Sequence, residues 1–94
     1  MKTTHVTVHF PHGLHARSAA KLVQLSRRFR ARVSIRLGNQ IANARSIIGI
    51  LLLAATFNAQ LEIQAAGEDE DAAIQAADVF FQSADEDALP LLSA

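Results

Sequence analysis

Three segments of this chain alternate apolar and polar side chains residue by residue. Val6, Val8 and Phe10 are interleaved with His5, Thr7 and His9. Val33, Ile35 and Leu37 are interleaved with Arg32, Ser34 and Arg36. Leu61, Ile63 and Ala65 are interleaved with Gln60, Glu62 and Gln64. A period of two belongs to a strand with one apolar face. Such strands need a cover on that face and tolerate water on the other. The intervening residues supply the cover, because their apolar positions fall near helical spacing.

The pattern predicts strand, helix, strand, strand, helix, strand, helix. The first strand covers roughly Thr4–Phe10, and Pro11-His12-Gly13 breaks it. A helix follows over Ala16–Arg28, with Ala19, Leu22 and Val23 at helical spacing and Phe29 just beyond. Gly38-Asn39 is a tight-turn signal, so a short third strand at Gln40–Ala42 pairs back as a hairpin. Ser46 caps a short helix running to about Leu53. Gly67 ends the fourth strand. Glu68-Asp69-Glu70-Asp71 opens the last helix, where carboxylates complement the dipole, and Ala73, Ala76, Ala77 and Phe80 form its inward face. A polar tail begins near Asp85, with Leu89, Leu91 and Leu92 able to dock. On periodicity alone, an open-faced sandwich and a ferredoxin-like fold are equally allowed.

Ninety-four residues suit a single domain over 1–94 with one modest core. Half the residues are hydrophobic and only five are aromatic, so an aliphatic core is expected. The formal net charge is zero, which disfavours a nucleic-acid binder. No cysteine is present, which excludes disulfides and thiolate metal sites and fits a reducing compartment. Met1–His5 lacks the apolar run of a signal peptide. The apolar run Ile47–Ala55 is too short to span a bilayer. The expected location is the cytoplasm, without membrane insertion.

The chemistry concentrates in Gly13-Leu14-His15-Ala16-Arg17-Ser18-Ala19-Ala20. His15 falls where the first strand has ended and the first helix begins. The N–H groups of a first helical turn and the helix dipole favour a bound anion. Arg17 adds a cation that grips phosphate in a fork. A nucleophilic imidazole in that place suits a phosphoryl group that is received, held briefly and passed on.

This segment resembles the active-site signature of the HPr family, the histidine-containing phosphocarriers of the bacterial phosphoenolpyruvate:sugar phosphotransferase system. Arg45-Ser46-Ile47-Ile48-Gly49-Ile50-Leu51 resembles the family's second signature, whose serine is a regulatory phosphorylation site. Ala66-Gly67-Glu68-Asp69-Glu70 resembles its junction between the last strand and last helix. The resemblance implies an α+β open-faced β-sandwich (βαββαβα), with a four-stranded antiparallel sheet covered on one face by three helices. It implies a monomeric carrier, not an enzyme, that takes phosphate from phospho-enzyme I on Nδ1 of His15. The phosphate then passes to a histidine of a downstream A component, and no cofactor is required. It also implies a partner surface around His15 made by Ala16, Ile47, Ile48 and Leu51, ringed by Arg17, Arg27 and Arg45. The alternative is a regulatory adaptor of a sugar or nitrogen circuit, read out through phospho-Ser46 or the state of His15. Its partners would be an HPr kinase/phosphorylase and a transcription regulator.

Three positions depart from the family pattern. Ser18 stands where proline is usual, His12 where a small polar residue is common, and Ala54 where glycine is common. Proline at 18 is expected to stabilise the first helical turn. His5 and His9 share the outer face of a strand and read as solvent-facing rather than as metal ligands, since no nearby acid or cysteine completes a site. The Arg27–Arg32 run reads as a solvated helix end.

Overall fold

The structure, a computed structural model, describes residues 1–85. The elements in chain order are β1 (Lys2–Thr7), α1 (Ala16–Ser26), β2 (Arg32–Leu37), β3 (Gln40–Asn43), α2 (Ile47–Leu52), β4 (Gln60–Ala66) and α3 (Glu70–Gln82). The four strands form one antiparallel sheet in the order β1-β4-β2-β3. That order resolves the choice left open by periodicity in favour of the open-faced sandwich. The tail beyond residue 85, with Leu89, Leu91 and Leu92, lies outside the described residues.

The alternating segments behave as strands should. Val33, Ile35, Leu61, Ile63 and Ala65 are buried, while Arg32, Arg36, Gln60 and Ala66 are exposed. The opposite face carries a cross-strand row set by register, His5 to Glu62 to Arg36 to Ile41. His5 Nε2 lies 3.3 Å from Glu62 Oε2. His9 is exposed.

The bounds of β1 and α1 differ from those predicted. β1 starts at Lys2 and stops at Thr7, because its partner strand begins with Gln60, opposite Thr7. Val8 and Phe10 keep the inward phase and are buried. Val8 exchanges backbone hydrogen bonds with Ala59 and Asn58 beyond the ladder. α1 closes at Ser26, two residues early. The Arg28 N–H turns to the Leu25 carbonyl and the Phe29 N–H to that of Ser26, a tighter turn that ends the helix.

The core lies between the sheet and the helices. It is aliphatic except at one end, where Phe10, Phe80 and Phe81 gather with ring centroids 5.0–6.3 Å apart. Phe81 joins Ala73, Ala77 and Phe80 on the inward face of α3, while Ala76 is only half-buried. Thr4 Oγ1 donates to Asp78 Oδ1 at 2.7 Å and ties α3 to β1.

The β4–α3 junction is stitched to the α1–β2 loop. Asp69 precedes α3, but its carboxylate reaches away from that helix. It accepts the N–H groups of Arg30 and Ala31 at 2.9 and 2.8 Å. Chiefly the Arg30 N–H, with help from Ala31 and against some desolvation, holds the Asp69 carboxyl below its usual range. Gly67, at φ +150°, lets the chains touch here: a Cβ would sit 2.7 Å from Ala31 Cα. Glu70 pairs with the N-terminal ammonium at 2.9 Å and accepts the Gly67 N–H. The ammonium first, then the amide, lowers its pKa.

Candidate functional site

The β1–α1 loop is held at two points before it reaches His15. The Gly13 N–H donates to the Phe10 carbonyl, and the Leu14 N–H to the Ala55 carbonyl, both at 2.9 Å. Gly13 has φ +73°, and a Cβ there would lie 2.3 Å from the Ala55 oxygen. Only glycine meets both conditions at once. The receiving strand of chain is itself strained, since Ala54 has φ +52° directly after α2. This is the position where glycine is common in the pattern noted above, and a left-handed residue is the usual way to leave a helix.

His15 is the N-cap of α1, extended at φ −125° and ψ −169°, and half-buried. Its carbonyl accepts the Ala19 N–H at 2.8 Å. Its own N–H donates to Ser18 Oγ at 3.1 Å, and the Ser18 hydroxyl also lies 3.2 Å from the His15 carbonyl. The Ser18 backbone N–H completes a capping box by facing the His15 side chain. Ser18 is fully buried. Proline at position 18 would delete that N–H and the hydroxyl bridge. The gain expected of proline in this turn is offset by the loss of those contacts. The N–H at this third helical position has no partner within the helix, so the loss comes from the cap contacts with His15.

The electrostatics of this end are one-signed. The first turn of α1 contains no acidic residue. Ala16 and Arg17 are its first two residues, both exposed. The His12 ring stands 6.1 Å from that of His15, nearly perpendicular to it. The arrangement can receive an anion at an imidazole that opens a helix.

α2 packs beside α1. Ser46 is its N-cap, as the sequence predicts, with Oγ accepting the Gly49 N–H at 3.0 Å. The exposed side chains of α2 are Ile47 (39%), Ile48 (67%) and Leu52 (73%), while Leu51 is half-buried and Ile50 fully buried. Leu52 and, in the following loop, Phe57 (51% exposed) are larger apolar contributors than Leu51. Ile48 and Leu52, four residues apart, share one helix face.

The arginines do not close a ring around His15. Arg27 is the C-cap of α1, ten residues and about 15 Å along the axis from Arg17. The Arg45 guanidinium donates to the Phe29 carbonyl, also past the C-terminal end of α1. With Arg30, Arg32, Asn43 and Ala66 it lines a shallow cleft of about 330 Å³. The fold thus brings His12, His15, Ala16 and Arg17 together, and leaves Arg27 and Arg45 at the far end of the helix. Sequence reasoning passed over the role of Ser18 in the cap. A histidine followed three residues later by a side-chain acceptor has the spacing of a capping box and is the signal that marks it.

A helix-capping histidine beside an arginine, on an open-faced four-stranded sandwich, defines a phosphocarrier class of protein. Residues 2–83 match the family described as "PTS HPr component phosphorylation site". The chain is 39% identical to a phosphocarrier protein HPr from Xylella fastidiosa over 71 residues, 76% of this chain and 80% of that one. It is 39% identical to a phosphocarrier protein NPr from Shewanella violacea, covering 68% and 70% of the two chains. A crystal structure of HPr from Thermoanaerobacter tengcongensis superposes with a TM-score of 0.85 at 34% identity, covering 88% and 93%. This chain belongs to the HPr family of phosphotransferase-system phosphocarriers. Among the described residues, no helix is long and apolar enough to cross a membrane.

Proposed function

We propose that this chain carries a phosphoryl group on His15, accepting it from phosphorylated enzyme I and delivering it to a histidine of a downstream A component. The observation that carries this is His15 itself, the N-cap of a helix whose first turn holds Arg17 and no acid. A neutral ring nitrogen attacks phosphorus in line. The new N–P bond forms as the donor's P–N bond breaks, and the same exchange runs in reverse at the acceptor. The helix dipole and the Arg17 guanidinium offset the charge on the transferred oxygens. Family resemblance assigns the attack to Nδ1. No cofactor takes part in this exchange, and the carrier works in the cytoplasm as a monomer, turning over as both substrate and product.

Ile47, Ile48 and Leu52 on α2 supply an apolar centre for docking beside the histidine, with Leu51 supporting it from below. Arg27 and Arg45 join only where a partner reaches the far end of α1. A second role as regulatory adaptor is favoured by Ser46, half-buried at the start of the exposed face of α2. A phosphate there would add charge at the edge of the docking face. A kinase/phosphorylase would write that mark and a transcription regulator would read it.

The test is incubation with enzyme I and phosphoenolpyruvate. Acid-labile, base-stable phosphate on the protein is the expected product. Stable phosphoserine alone, formed only with a protein kinase, would favour the adaptor role.

A further inference from the structure

We propose that the cleft lined by Arg30, Arg32 and Arg45 docks a segment of a partner protein rich in Glu or Asp, and that it does so with His15 left uncovered. This role is separate from phosphoryl transfer and lies at the other end of α1.

The cleft, of about 330 Å³, opens where the α1–β2 loop meets the ends of β3 and β4, with Asn43 and Ala66 completing its lining. Three of the chain's nine Lys and Arg side chains line it and no carboxylate does, although the whole chain is formally neutral. Strand alternation puts Arg32 on the uncovered face of the sheet, beside its small cross-strand partner Ala66. Arg30 alone of the three meets a carboxylate among the described residues, Glu68 Oε2 at 3.3 Å, and both members of that pair are largely solvated. The Arg45 guanidinium is held by the Phe29 carbonyl. Asn43 Oδ1 accepts the Arg45 N–H at 2.9 Å, which leaves the Asn43 NH2 group as a further donor. The nearby backbone amides are already taken, those of Arg30 and Ala31 by Asp69 and that of Arg45 by Asn43. A small phosphate ligand is held by enclosure and by free amides. A shallow, exposed set of guanidinium forks suits carboxylates laid across it instead. The eleven residues of α1 separate its two ends by about 16 Å. His15 caps one end and the cleft lies past the other, so one molecule can be held by an acidic segment and phosphorylated together.

Titration of the 15N-labelled protein with a hexaglutamate peptide tests this, with hexaglutamine as the neutral control. The largest amide shifts are expected at Arg30–Arg32, Asn43–Arg45 and Ala66, weakening as salt is added. Arg32→Gln, at an exposed position, should weaken binding about 2–5-fold, the usual worth of one solvated cation. Glu68→Gln should tighten it by releasing Arg30. Arg36→Gln, two residues along the same strand but outside the cleft, should leave it unchanged. Largest shifts at His15–Arg17, or equal losses from Arg32→Gln and Arg36→Gln, would overturn the proposal. Inorganic pyrophosphate binding the same amides more tightly than the peptide would also overturn it, in favour of a small anion. Labelling by enzyme I and phosphoenolpyruvate should continue with the peptide bound, and a block by cleft-bound peptide would contradict joint occupancy. If the peptide binds as expected but no label is taken up even without it, the carrier role falls and the docking cleft stands.

Discussion

Two strand-to-helix junctions in this molecule are built alike and finished differently. Each places a positive-φ glycine against another backbone: Gly13 against Ala55 before α1, and Gly67 against Ala31 before α3. Each then opens a helix. At α3 the cap is Asp69, followed by Glu70 and Asp71, and its carboxylates are bound to amides and to the N-terminal ammonium. At α1 the cap is His15, and the first turn has no acid at all. One helix start carries carboxylates of its own. The other keeps its positive potential for an anion arriving from outside. The difference separates a structural junction from a chemical one.

The largest effects should come from breaking each glycine. Gly13→Ala and Gly67→Ala both force a Cβ into backbone at positive φ. Each is expected to cost about 2–4 kcal/mol, the sum of left-handed strain and overpacking. Urea unfolding measures this. Only Gly13→Ala should also slow phosphoryl acceptance per folded molecule. Equal slowing by both would erase the distinction between the junctions.

Arg17→Lys comes next. Loss of the forked contact removes a charge-assisted hydrogen bond worth about 1.5–3 kcal/mol, so transfer should slow roughly 10-fold or more. Stability should hold, because Arg17 is exposed. Unchanged transfer kinetics in both directions would make it a bystander.

Much of this contrast was legible in the sequence. β2 and β4 declare themselves because their alternation and their burial share one cause, a sheet with a single covered face. His15 and Ser46 are readable as caps because capping is local. The unreadable parts are long-range. Asp69 looks like a cap for its own helix but bonds residues 30 and 31, which only the folded chain brings near. Arg45 follows a hairpin and precedes α2, so nothing local directs it to the Phe29 carbonyl. β1 ends where β4 begins, a boundary set by the partner rather than by its own alternation.

A smaller effect sharpens the comparison from the receiving side. Ala54 holds φ +52° beside the Ala55 carbonyl that anchors Leu14. Ala54→Gly removes the left-handed strain at some cost in unfolded-chain entropy. A gain of up to about 1 kcal/mol is expected. Thermal denaturation checks this, and a loss would mean that the alanine methyl makes a contact worth more than the strain.

The α3 junction has a pH signature of its own. The folded-state pKa values of Asp69 and Glu70 are lowered. Their stabilisation is therefore complete above the unfolded carboxylate range and is lost as pH falls through the lower folded values. Asp69→Asn should be less stable than wild type near neutrality, with a gap that narrows in acid. A constant gap at every pH would separate the Asp69 hydrogen bonds from its charge.

The central claim is that the helix start without acids is the one that accepts phosphate, at His15. It is tested most directly by incubating wild type and His15→Ala with enzyme I and phosphoenolpyruvate and following acid-labile label. The wild type should take up one phosphoryl group and His15→Ala none, with both proteins folded. Undiminished acid-labile label on His15→Ala would contradict the account.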